Sequence, residues 1–291
     1  MPELNWVDAP ELRRPILVLA FEGFFDASGA ATDAALWIAD RGRRDLIAEI
    51  DPDGFYDFQQ TRPQVLREND GTRSIRWPTN SAVAVRLPGS DHDLIVLAGV
   101  EPHVRWRAFC THLAVLAHQC HAEMVVTLGS MAGMAPHTRP LGVIASSTDA
   151  ELARRLGLRS PSYEGPTGVI GVLHDILDAS GQAVISLRVS VPHYVPGSPN
   201  PEATRSLLRR FELVTGVGTD HSQLDEDADE WRSQVDLAVA DDPGIAGYIK
   251  TLEGEVDQSE DLLPSGDDLA TELEAFLRER RPPEAGENDD D

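Results

Sequence analysis

Several residues capable of chemistry follow short apolar runs in this chain. They are Glu22-Gly23, Gly99-Val-Glu101-Pro102, Gly129-Ser130-Met-Ala-Gly133 and Pro192-His193-Tyr194. The loop Tyr163-Glu164-Gly-Pro-Thr-Gly168 precedes an apolar helical pattern and joins them. If the apolar runs are parallel strands, all these segments sit beyond the carboxyl ends of one sheet, where open α/β folds bind ligands. Three carboxylates, a serine and a histidine would then converge and could support acid–base work or hold a polar ligand. Carboxylates such as Glu22 and Glu101 are, however, more often helix caps or arginine partners than catalytic acids. Gly129-Ser130-x-x-Gly133 also lacks the G-x-S-x-G spacing of a nucleophile elbow, so a triad with Glu164 and His193 exists only on paper. A Gly-rich turn that admits close backbone packing accounts for the same residues. Thr138-Arg139 after this turn could hold a phosphate or carboxylate, or pair with an acidic neighbour.

The elements that must position these residues are legible. Ile16–Phe21 and Leu94–Ala98 are continuous apolar runs, as in strands buried on both faces. Trp106, Phe109, Cys110, Leu113, Leu116, Ala117 and Cys120 recur at three and four and define a helix. Further strands are expected at Leu46–Ile50, Met124–Leu128, Gly142–Ala145 and Ala183–Val191, and Ser74–Trp77 with Ala82–Leu87 reads as a hairpin. Strands alternating with helices predict a three-layer α/β/α domain with a mostly parallel sheet over residues 1–198. Beyond it, helical stripes predict an acidic helical domain over 199–283, ending in a helix with Leu269, Leu273, Phe276 and Leu277. Residues 284–291 are too polar to pack, and a disordered tail is expected.

Composition excludes several functions. The formal net charge is −24, and residues 201–291 carry 26 acidic against 8 basic residues. A field of that sign repels phosphate backbones, so no nucleic-acid partner is expected. No apolar run reaches the length of a membrane span, so no membrane association is expected. The N-terminus lacks a basic stretch followed by an apolar one, which predicts a cytoplasmic protein. Twenty-four of the 25 basic residues are arginine, and Lys250 is the single lysine. No Gly-Lys pair exists, so there is no Walker A loop, and Lys250 is the one possible Schiff-base lysine. His112, His118, His121 and Glu123 lack the spacing of a metal site. No metal or cofactor is expected. Cys110 and Cys120, ten positions apart on one helix, are too distant for a disulfide.

Taken in order, the motifs resemble those of the proteasome assembly chaperone family, second-subunit type, in a bacterial high-GC branch. The resemblance is carried by Phe21-Glu22-Gly23-Phe24-Phe25-Asp26, Tyr56-Asp57-Phe58-Gln-Gln-Thr-Arg62-Pro63 and Gly99-Val-Glu101-Pro102 with Trp106. Gly129–Gly133 with Thr138-Arg139-Pro140, Val191-Pro-His-Tyr194 and Leu263-Pro-Ser-Gly-Asp267 continue it. It covers nearly the whole chain. It implies a nucleoside-phosphorylase-like α/β/α core with a small helical domain, a homo-oligomer with a trimer favoured, and no established catalysis. It implies proteasome α-subunits as possible partners. Archaeal relatives can carry a C-terminal hydrophobic-tyrosine-any tail; this sequence ends Glu287-Asn-Asp-Asp-Asp291, so contact through another surface is expected. The alternative is a small-molecule-binding protein or a phosphorylase- or hydrolase-like enzyme using the strand-end pocket.

Overall fold

The computed structural model describes residues 3–261 apart from Asn69, Ser162, Pro196 and Ser198. The expected helix after Ser265 and the tail 284–291 lie outside the described residues. One compact unit runs to Asp241, and a second begins at Asp242 with the helix Pro243–Asp261. The first unit carries the sheet and every candidate site residue.

Eight strands form the main sheet: β1 (Leu4–Trp6), β2 (Ile16–Glu22), β3 (Arg43–Ile50), β6 (Asn80–Arg86), β7 (Leu94–Val100), β8 (Met124–Gly133), β9 (Val143–Ser146) and β10 (Val184–Pro192). Their spatial order is β1-β3-β6-β7-β2-β8-β10-β9. The centre, β7-β2-β8-β10, is parallel, with Ile16 opposite both Leu94 and Met124 and Val184 opposite Val125. Both flanks are antiparallel. The central strands are nearly all apolar because both faces are covered.

Alternate residues of β2 serve two cores. Ile16, Val18 and Ala20 face α1 (Ala30–Ala39) and α5 (Pro201–Thr215), whose Leu207, Leu208 and Phe211 are buried there. Leu17, Leu19 and Phe21 face α2 (Trp106–Gln119) and α4 (Val169–Ala179), against Phe109, Leu113 and Leu173. The three-layer expectation holds. The short α3 (Ala150–Leu156) starts on Asp149, whose carboxylate accepts from Glu151 and Leu152 N–H. α6 (Asp225–Val239) packs on α5.

Two expectations change. Residues 73–76 (β5) do not pair with β6 but turn back on β4 (Gln64–Arg67), with Val65 opposite Ile75. Gly71, at φ 84°, supplies the positive-φ position of this turn, which Glu68 N–H closes on Thr72 O at 2.9 Å, and β6 is left to join β3 and β7. The change in composition near residue 199 also does not mark a break. α5 buries its stripe on the sheet, and the division between compact units falls at 241/242.

Both cysteines are free. Burial pushes the Cys110 thiol up to about 12 and that of Cys120 to about 11, which keeps both protonated near neutral pH. Among the described residues no helix is long and apolar enough to cross a membrane.

Candidate functional site

Parallel β2, β7, β8 and β10 bring Glu22, Glu101, Ser130 and His193 to one end of the sheet, but not into one constellation. Glu22, Gly23 and Glu101 line a cleft of about 560 Å³ with His103, Trp106 and Gly168. Ser130, Thr138, Arg139, Glu164 and His193 do not line it.

Glu101 ties the cleft together. Its Oε2 accepts from Phe24 N–H at 2.9 Å, and its Oε1 accepts from Val169 N–H at 3.2 Å. It therefore holds the loop after β2 and caps the first turn of α4, whose N-cap residue Gly168 brings no side-chain bond of its own. Gly23, at φ 148°, leaves room for it: a Cβ there would lie 2.5 Å from Glu101 Oε2. Glu101→Gln leaves one acceptor oxygen for two N–H groups and turns an amide NH₂ toward the other. A loss of about 1–2 kcal/mol in unfolding free energy is expected in urea titrations. A midpoint equal to wild type would show that Glu101 does not hold these loops.

Glu22 is different. Among the described residues its carboxylate has no hydrogen bond. Partial burial, then Asp26 and Asp33, hold it above the usual carboxylate range. On the other wall His103 Nδ1 accepts from Asp57 N–H at 2.9 Å, which places the ring proton on Nε2, 3.3 Å from Thr61 Oγ1.

Ser130 is fully buried. Its hydroxyl donates to Ala27 O at 2.9 Å, and its N–H to Phe25 O at 2.8 Å. Asp26 beside it accepts from Ala31 and Thr32 N–H at the start of α1. The serine anchors the β2 loop and faces no histidine. His193 Nδ1 instead lies 3.0 Å from Gly133 O, and Glu164 is exposed on its loop. Next to Thr138, His137 is buried between Tyr194 OH (2.7 Å from Nδ1) and Asp236 Oδ1 (3.0 Å from Nε2). This relay joins the loops after β8 and β10 to α6. Among the described residues no three His, Cys, Asp or Glu side chains are grouped as a metal would require.

Exposed apolar side chains, which belong to no chemical motif, rim the same end of the sheet. Phe24 and Tyr163 are each 71% exposed and Met134 60%, with Val104 and Met131 also at the surface. Each lies at or just past the carboxyl end of a parallel strand, or in the loop leading into α4. The signal was present in Phe24-Phe25, just past β2, and in Met131 and Met134, at and just past the end of β8.

These features define an α/β/α protein whose strand-end loops are fastened to one another rather than built around a nucleophile. The chain belongs to the PAC2 family, whose model matches residues 20–239. A Streptomyces avermitilis PAC2 family protein is 40% identical, with a TM-score of 0.76 over 80% of this chain and 99% of its own. A Mycobacterium tuberculosis proteasome-assembly chaperone homologue is 38% identical, with a TM-score of 0.73 over 80% and 99%. An archaeal proteasome activator from Pyrococcus furiosus shares the fold at 16% identity, with a TM-score of 0.63 over 81% and 97%. No curated protein matches the chain.

Proposed function

We propose that this protein is a non-catalytic, cytoplasmic, protein-binding relative of the proteasome assembly chaperones, acting on proteasome α-subunits as a homo-oligomer, with a trimer favoured. The observation that carries this reading is the apolar rim of Phe24, Tyr163 and Met134 at the strand ends. Exposed apolar side chains gathered at one end of a molecule serve protein contacts better than solubility. The kinship with a proteasome-assembly chaperone homologue supports the choice of partner. Glu101 and Ser130, whose polar groups are engaged by backbone, support the non-catalytic part.

The test is size-exclusion chromatography with light scattering, alone and with α-subunits from the same organism. A shared peak is expected. The triple variant Phe24→Asp, Met134→Asp, Tyr163→Asp is expected to weaken it roughly tenfold or more while keeping the wild-type melting curve. A chain that ignores the α-subunits at every concentration would sink the proposal. A second reading, a small-molecule site in the cleft, is favoured by the unpartnered, raised Glu22 carboxyl. A metabolite thermal-shift screen in which Glu22→Gln abolishes a hit would establish it.

A further inference from the structure

A second cleft, independent of the strand-end reading, runs along α5. Glu202, Arg205, Ser206, Arg209, Arg210 and Leu213 recur at three and four on one face of that helix and line it. The segment Pro140–Val143 forms the opposite wall, and the volume is about 460 Å³.

Its charges do not balance internally. Glu202 is buried and already taken: Arg205 Nη2 lies 2.7 Å and Arg232 Nη2 3.6 Å from its Oε2. Asp225 is held by Arg205 Nη1 at 2.6 Å. His221 is turned to Glu212 at 3.3 Å. Arg209 and Arg210 remain. Neither has a hydrogen bond or ion pair among the described residues, and Arg210 Nε is shielded from water without an acceptor. A chain with 49 acidic and 25 basic residues has abundant carboxylates with which to pair an arginine. Leaving two unpaired in one cleft, one with a desolvated N–H, keeps two guanidinium groups available to an external oxyanion.

The rest of the cleft describes the body of the ligand. Leu213 is exposed at its mouth, and Leu141 and Val143 supply apolar wall. A phosphate monoester near its dianionic form matches two unpaired guanidinium groups in charge and offers three terminal oxygens to their forks, where a carboxylate offers two. We propose that the α5 cleft binds a small phosphate monoester, with Arg209 and Arg210 clamping the phosphate and Leu213 and Val143 contacting an apolar body.

Isothermal titration of the full chain with phenyl phosphate, inorganic phosphate and benzoate tests this. Phenyl phosphate binds one per chain and more tightly than either other probe. Arg209→Gln and Arg210→Gln each weaken it roughly tenfold or more. Leu213→Ala weakens phenyl phosphate and leaves inorganic phosphate unchanged. Should Arg210→Gln fail to fold, the exposed Arg209 carries the test alone. No saturable binding by wild type, equal binding by Arg209→Gln, or benzoate matching phenyl phosphate would each overturn the proposal.

Discussion

Gly99→Val is expected to lower the unfolding free energy by about 3 kcal/mol or more, because it combines overpacking with the loss of a buried polar network. Continuing the register that sets Val83 against Val96, Asn80 faces Gly99 across β6 and β7. A Cβ on Gly99 would lie 1.8 Å from Asn80 Oδ1 and 3.1 Å from Leu97 Cδ2. Asn80 cannot step aside cheaply. It is buried, its Oδ1 accepts from Val100 N–H at 3.1 Å, and its Nδ2 donates to Val100 O at 3.2 Å and to Tyr56 OH. The Tyr56 hydroxyl in turn donates to Val100 O at 2.5 Å, and burial raises its phenol above the ordinary range. The side chain of Asn80 thus replaces ladder hydrogen bonds just before Glu101 enters the cleft. Urea unfolding of Gly99→Val, Asn80→Ala and the double variant measures the coupling. Additive losses would mean that the two positions do not meet.

Acid should weaken the protein through His174. The side chain is half-buried on α4, its Nε2 lies 2.9 Å from Thr127 Oγ1, and desolvation, then Arg188, brings its pKa from 6.5 down to about 4. The folded state therefore holds the ring neutral, while the unfolded chain protonates it below 6.5. Its contribution is complete above pH 6.5 and is lost as pH falls toward 4. Between pH 7 and pH 5 the loss is about 2 kcal/mol. His174→Gln, which can keep the bond to Thr127, is expected to lose correspondingly less over the same interval. Equal losses by wild type and variant would place the acid sensitivity elsewhere.

Where a segment's own pattern decided its structure, the sequence was readable. The run Ile16–Phe21 is β2, and the stripe from Trp106 to Ala117 is α2. Pairing was less readable. Ser74–Trp77 and Ala82–Leu87 both alternate, and only the competing Asp70-Gly71 turn sends β5 back to β4. The acidity beyond residue 199 read as a separate domain, because charge reports the wet face of α5 while Leu207, Leu208 and Phe211 on its dry face join the sheet. The candidate site was legible as a location, since parallel strands share one end. It was not legible as a set of contacts. Glu101 meets Phe24 and Val169, far away in sequence, and nothing local distinguishes such a fastener from an acid.

The strand order also bears on how the chain is made. β2, the second strand to be synthesised, lies between β7 and β8 and has no neighbour in the sheet until those segments exist. At ribosomal rates of about 5–20 residues per second, that leaves an apolar segment without its partners for on the order of several seconds. Nonlocal pairing of this kind also slows folding once the chain is complete. Arg13-Arg14 and Glu22 bracket the segment with charge. Flanking charges of this kind act as gatekeepers, discouraging nascent chains from pairing with one another while β2 waits.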